Sequence, residues 1–211
     1  MSQTVLVTGA SSGIGQVIAQ LLTERGFTVY GTSRKPTGTL IPLDVRSDES
    51  VRACVDRVGT IDVLVNNAGY TLMGSAEETS VDEAKAQLET NFFGVVRMVK
   101  AVLPAMRQAR AGKIITIGSL AGITAIPFGA FYTASKFALE GYTEALWHEL
   151  RPFGIHVTLI EPGQVETPFF ERPGEGRLVA DDIARAVMYA VTQPPHVDVN
   201  EMLIRPVAQD S

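Results

Sequence analysis

"TVLVTGASSGIG", residues 4–15, sets the fold. Residues 4–8 form an unbroken apolar and β-branched run, the pattern of a strand buried on both faces. Glycines follow at once, and the spacing in "IGQVIAQLLTERG" then becomes helical until Gly26 stops it. A strand, a tight glycine turn and a helix make the first half of a parallel strand–helix–strand unit.

The same alternation runs outward from this stretch. "TVYGTS" (28–33), "TLIPLDV" (39–45), "IDVLVNN" (61–67), "GKIITIGS" (112–119), "GIHVTLIEPG" (154–163) and "NEMLIRP" (200–206) read as six further strands. Helical patterns cover "SDESVRACVDRV" (47–58), residues 81–109, residues 130–150 and "VADDIARAVMYAVTQ" (179–193). Ser47 is placed to cap the first of these. The pattern predicts one α/β domain over residues 1–211, with helices on both faces of a doubly wound parallel sheet of about seven strands. Two connections are short. "RKPTGT" (34–39) has no room for a crossover helix, and "PFFERPGEGR" (168–177) leads almost directly into the last long helix.

Composition excludes several classes of function. The formal net charge is -5 and no Lys/Arg-rich run occurs, which argues against nucleic acid and anionic membrane as partners. The N-terminus lacks the cationic lead and apolar core of a signal peptide, and no run reaches the roughly 18 apolar residues of a spanning helix. Cys54 is the one cysteine, so no internal disulfide forms, and its helical setting marks it as a small packing residue. The expectation is a soluble cytoplasmic protein. His148, His156 and His196 are scattered, and no metal site is expected.

The turn "TGASSGIG" (8–15) suits a dinucleotide. Gly9 permits the tight turn, Gly13 and Gly15 clear the backbone for phosphate, and the helix N-terminus offers N–H groups and a partial positive charge. Ser11, Ser12 and Ile14 complete that turn. At the end of the second strand an acid would grip a ribose 2′-hydroxyl, whereas an arginine would accept a 2′-phosphate. Here Ser33 stands at the expected position of the acid, and Arg34 and Lys35 follow. NADP(H) is therefore favoured over NAD(H). Asp44 and Val45 follow the third strand; Asp44 either accepts from an adenine amino group or caps the next helix. Asn67, Ala68 and Gly69 end the fourth strand, where small residues let a ligand approach or simply form a turn.

"YTASK" (132–136) raises the chemical question. Residues four apart share a helix face, so Tyr132 and Lys136 can reach one spot. An ordinary phenol ionises near pH 10 and is a poor base at neutrality. A unit cation about 4 Å away favours phenolate by about 4 kcal/mol at an effective dielectric of about 20. Such pairs also occur by chance on solvated helices. Ser119 ends the fifth strand, where its hydroxyl can bond a carbonyl oxygen. Asn91, a poor helix former inside a long helical stretch, holds a water behind the lysine or is an amide bonded within the core.

Taken together, "TGASSGIG" (8–15), "LDV" (43–45), "NNAG" (66–69), Asn91, Ser119, "YTASK" (132–136) and "PGQVET" (162–167) resemble the short-chain dehydrogenase/reductase family, in its order and across almost the whole chain. The resemblance implies a Rossmann-type sheet of order 3-2-1-4-5-6-7. It implies a carbonyl–alcohol oxidoreductase of the NADP-dependent kind, acting on a small-molecule ketone, aldehyde or alcohol. Asn91, Ser119, Tyr132 and Lys136 match the catalytic tetrad: Tyr132 exchanges the proton, Ser119 orients the reacting oxygen, Lys136 favours the ionised phenol and holds the nicotinamide ribose, and Asn91 completes a water relay. Gly9, Gly13 and Gly15 match the phosphate-binding glycines. Pro162, Gly163, Val165 and Thr167 match the segment lining the nicotinamide. Ser12 departs from relatives that carry a second basic residue there. The chain is also shorter than the family's usual length near 250 residues, which implies a short substrate lid near 168–180. Phe128, Met73, Phe169 and Phe170 are candidate pocket walls. A homodimer or homotetramer is expected. The alternatives are an NAD-dependent alcohol dehydrogenase of the same family and an NADP(H)-binding redox sensor without turnover.

Overall fold

The computed structural model describes residues 2–166 and 176–209. Seven strands form one sheet: β1 Thr4–Val7, β2 Thr28–Ser33, β3 Ile41–Pro42, β4 Val63–Asn66, β5 Gly112–Ile117, β6 Ile155–Pro162 and β7 Glu201–Ile204. Their order is β3-β2-β1-β4-β5-β6-β7, as expected, and every pairing is parallel. The long helices are α1 Gly13–Glu24, α2 Asp48–Val58, α3 Val81–Leu88, α4 Gly94–Ala109, α5 Ala130–Leu150 and α6 Ala180–Thr192.

The unbroken apolar strands divide their side chains between two cores, because successive residues of a strand point to opposite faces. Leu6, Leu64, Ile114 and Val157 pack against α2, α4 and α5. Val5, Val7, Val63, Val65, Ile115 and Ile117 pack against α1 and α6. Leu6, Leu64 and Ile114 are wholly buried, and truncating any one to Ala costs about 2–5 kcal/mol. Ser47 caps α2 by accepting from Ser50 N, as its position predicts. The "SVDEAKAQL" start is fixed by a full capping box between Ser80 and Glu83.

Two expectations need correction. The third strand is not seven residues long: only Ile41 and Pro42 pair, with Thr32 and Ser33. Pro42 has no N–H to donate, which suits the open edge of the sheet, and the bond beside it is made by Leu43 N, which donates to Ser33 O at 2.9 Å. The short pairing also explains how residues 34–40 return without a helix: little strand has to be retraced. The stretch 81–109 is not a uniform helix either. Between α3 and α4, residues Glu89–Phe93 form a π-helical turn, with Asn91 inside it. Such turns in longer helices are frequent at functional sites.

Of the expected lid, residues 167–175 lie outside the described residues, and α6 has already begun at Ala180. Its two ends are tied together. Val165 bridges Leu178, Glu166 N donates to Leu178 O at 2.7 Å, and Leu178 N donates to Gln164 O at 3.0 Å. No described helix is long and apolar enough to cross a membrane.

Candidate active site

The C-terminal ends of β1 and β4 are clamped by one hydroxyl. Thr8, 1% exposed, accepts from Asn67 N at 2.9 Å and Ala68 N at 3.0 Å through its Oγ1. Asn67 Nδ2 returns the link by donating to Thr8 O and Gly9 O, both at 3.0 Å. This clamp makes two of the glycines obligatory. A Cβ at Gly15 would lie 2.3 Å from Asn67 Nδ2 and 2.4 Å from Gly9 O, and one at Gly9 would lie 3.0 Å from Ala68 Cα. Gly13 differs. It takes φ +56 and a Cβ there meets nothing within 4 Å, so its surface is left open. Ser12 holds the α1 N-cap in extended conformation, and its hydroxyl takes none of the first-turn N–H groups. Ser11 and Ser12 are exposed beside the turn; Ile14 packs partly into the α1 core.

At the end of β2, Ser33 is buried and accepts from Lys35 N at 3.2 Å, while Arg34 and Lys35 are exposed. Asp44 does not cap α2. Its carboxylate takes a fork from Arg46, with Nε at 2.9 Å from Oδ1 and Nη2 at 2.6 Å from Oδ2. That hydrogen bonding, with smaller help from the Arg46 and Arg34 charges, holds the Asp44 acid at about 2. Arg34 and Arg46 thus both face this corner, and sequence reading passed over Arg46. Val45 turns its side chain inward, where its Cγ2 would be 2.6 Å from a Cβ on Gly94.

Tyr132 and Lys136 sit on the first turns of α5, both half-buried. Their heads are on the same side: Lys136 Nζ lies 5.7 Å from the centre of the Tyr132 ring. The ammonium is anchored by donating to Ile117 O, at the end of β5, at 2.9 Å. Two residues later Ser119 caps the short turn Leu120–Gly122, accepting from Ala121 N at 3.1 Å. That turn presses on α5, since a Cβ at Gly122 would lie 3.1 Å from Lys136 O. Ser119, Tyr132 and Lys136 are therefore brought to one end of the sheet, beyond the strand termini where parallel sheets bind ligands.

Asn91, 2% exposed, bonds its side-chain amide within the protein. Its Oδ1 accepts from Tyr70 N at 3.0 Å, and its Nδ2 donates to Tyr70 O at 2.9 Å and to Ser135 Oγ at 3.1 Å. Ser135 in turn donates to Tyr132 O at 2.7 Å. Buried Gln87 adds a second donor to Tyr70 O at 3.0 Å. Neither Ser135 nor Tyr70 stands out in the sequence; the i+3 spacing from Tyr132 to Ser135 is the one signal that was available.

Behind the site, Pro162 ends β6 and Gly163 N donates to Ile204 O at 2.7 Å. Gly163 also lies under Gln209, whose Oε1 would be 2.3 Å from a Cβ there. Val165 is buried, and Thr167, Phe169 and Phe170 lie outside the described residues. Phe128 and Met73 are not core: they are 68% and 54% exposed. Phe128 holds φ +59, an uncommon conformation for a bulky residue, and its carbonyl accepts from Gly74 N at 2.8 Å. Tyr70 and Ile123 are exposed on the same two loops.

A family model described as short chain dehydrogenase matches residues 3–177. The chain belongs to the short-chain dehydrogenases. It is 47% identical over 200 residues to a 3-ketodihydrosphingosine reductase of Bacteroides thetaiotaomicron, covering 88% of this chain and 74% of that one. It is 42% identical over 198 residues to retinol dehydrogenase 8 of Homo sapiens, covering 84% of this chain but 62% of the relative. Among solved structures, the closed form of a serine dehydrogenase complexed with NADP+ superposes with a TM-score of 0.92 at 31% identity, covering 99% of this chain and 97% of that one. This short-chain dehydrogenase is an oxidoreductase acting between alcohol and carbonyl groups, and its family uses a nicotinamide cofactor.

Proposed function

We propose that this short-chain dehydrogenase interconverts an apolar ketone or aldehyde with its alcohol, using NADP(H) in preference to NAD(H), with Tyr132 as the general acid and base. The observation that carries the reading is the Tyr132–Lys136 pair, with Lys136 anchored to Ile117 O at the end of the strand that leads to Ser119.

The residues present fit a dinucleotide. Gly13 leaves open space at the N-terminus of α1, Gly9 and Gly15 bring the β1 turn against Asn67 and Ala68, and exposed Arg34 lies at the end of β2. Gly9, Ser11, Ser12, Gly13, Ile14 and Gly15 would hold the pyrophosphate. Arg34, with Ser33 and Arg46, would hold a 2′-phosphate. Asp44, Val45, Asn67, Ala68 and Gly69 would border the adenosine; Pro162, Gly163, Val165 and Thr167 would border the nicotinamide. When bound, the cofactor supplies or accepts the hydride.

In this account the chain's own groups handle the proton and the position. Ser119 Oγ donates to the substrate oxygen. Tyr132 gives its phenolic proton to that oxygen in reduction and takes it back in oxidation. Lys136 stabilises the phenolate by its charge and is held at the strand end by donating to Ile117 O. Asn91 and Ser135 fix the first turn of α5 so that the phenol points at the cleft; they position and do not touch substrate. The expected assembly remains a homodimer or homotetramer.

An apolar substrate is supported by the rim: Tyr70, Met73, Ile123 and Phe128 are exposed on the two loops beside Tyr132. The names of the reductase and retinol dehydrogenase relatives point the same way. The coenzyme part is tested by Arg34→Ala. Losing a charge-assisted contact should lower the NADP(H) over NAD(H) preference in kcat/KM about tenfold or more. The assay follows nicotinamide absorbance across a panel of aliphatic, aromatic and steroid carbonyls. No preference in the unmodified enzyme, or none lost in the variant, contradicts the coenzyme assignment.

A further inference from the structure

Behind the helix that carries Tyr132 and Lys136 lies a group of acids that the proposed reaction leaves unused. β6 and β7 run parallel with Leu159 opposite Glu201 and Glu161 opposite Leu203. This register puts Glu161 and Glu201 on the same face of adjacent strands. α5 packs on that face and contributes Glu140, one turn beyond Lys136. One oxygen from each of the three carboxylates lies within 4.8 Å of the others.

The surroundings do not neutralise these acids. Glu161 is 0% exposed, and neither of its oxygens receives a hydrogen bond from an N–H or hydroxyl among the described residues. Glu140 Oε2 is likewise buried without a donor. No ion pair among the described residues includes any of the three. The groups within hydrogen-bonding reach of Glu161 are the other two carboxyls. Burial, then repulsion from Glu140 and Glu201, pushes the Glu161 acid up to about 9, and burial also raises Glu140. A buried carboxylate with no partner is strongly unfavourable, so either a shared proton or a cation must complete the group.

One proton is shared by two carboxylates, whereas a cation can draw on all three that converge here. We propose that Glu140, Glu161 and Glu201 form a binding site for a hard divalent cation of calcium size. An all-oxygen donor set selects calcium, magnesium or manganese over softer metals. Three carboxylates gathered in a largely buried place suit calcium, which takes protein oxygens in flexible geometry, better than magnesium, which demands near-ideal octahedral geometry and keeps several waters. The three carboxylate oxygens, all within 4.8 Å of one another, can be spanned by bonds of about 2.3–2.6 Å to one central calcium. Glu201 is exposed and provides the entrance; Glu161 is the floor. Gly118 and Gly122 keep space beside that floor, since a Cβ there would lie 3.3 Å from Glu161 Cγ and 3.2 Å from Glu161 Oε1 respectively. Cation binding here does not depend on the hydride chemistry.

The test is calorimetric titration of chelator-treated full-length protein with calcium chloride at neutral pH, without coenzyme or substrate. Saturable binding of one calcium per chain is expected at millimolar or tighter Kd. A hundredfold excess over Kd should raise Tm by about 5 °C or more, beyond a magnesium control of equal ionic strength. Glu201→Gln, at the exposed rim, should weaken binding about tenfold or more while leaving the fold intact, and Glu161→Gln should abolish it. No saturable heat up to about 10 mM calcium, or unchanged affinity in both variants, overturns the proposal and leaves a shared proton as the occupant.

Discussion

Asn91, in the π-helical turn between α3 and α4, donates its side-chain amide to Ser135 Oγ on α5 at 3.1 Å. The same Ser135 hydroxyl donates to the carbonyl of Tyr132, so the π-helical turn is tied directly to the first turn of the helix carrying the phenol. The link satisfies the buried amide of Asn91 and the buried hydroxyl of Ser135 together. It sets the angle of α5 relative to the loop that follows β4.

Breaking this link should separate stability from chemistry. Ser135→Ala removes one acceptor but leaves Asn91 its Tyr70 partners, and should cost about 1 kcal/mol in a denaturant titration. Asn91→Ala strands Tyr70 N as well, and should cost about 2 kcal/mol. If both are positioning residues, kcat should fall in the same order while the KM for coenzyme stays near that of the unmodified enzyme.

Gly15→Ala should be costly in two assays at once. The added Cβ would meet the backbone oxygen of Gly9 at 2.4 Å, so the turn itself must shift. Overpacking of this kind costs about 1–3 kcal/mol. The displaced turn should also raise the coenzyme dissociation constant about tenfold or more, measured by nicotinamide fluorescence. An alanine variant that binds coenzyme as tightly as the parent would argue against phosphate being held at this turn.

Cys54 gives a pH prediction with a definite sign. Burial pushes its thiol from an ordinary 9.0 up to about 11. Below 9.0 the thiol is neutral in both folded and unfolded chains, and its contribution is intact. Between 9.0 and about 11 the unfolded chain ionises first, which draws the equilibrium toward unfolding. The urea midpoint should therefore fall over that interval, and fall less in Cys54→Ala. Ellman's reagent at pH 8 should label the thiol only after denaturation.

Much of this architecture was legible because it is local. Apolar runs of strand length, glycines at strand–helix turns and Ser47 three residues before Ser50 are short-range signals, and each has a direct structural counterpart. What was not legible depends on contacts distant in sequence. Residues 39–45 look like a full strand, but only Ile41 and Pro42 pair with β2. The π-helical turn has no compositional mark beyond an asparagine. Arg46 resembles any loop cation until it is found gripping Asp44. The acids at 140, 161 and 201 come together only through the β6–β7 register and the path of α5 over it.

The most direct measurement is Tyr132→Phe, which removes one oxygen and leaves the ring beside Lys136. The proposed mechanism requires kcat to fall about 10²–10⁴-fold while the NADP(H) dissociation constant and Tm stay close to those of the unmodified enzyme. Turnover by the phenylalanine variant at a rate comparable to the parent would show that the proton moves by another route, and the mechanism would have to be abandoned.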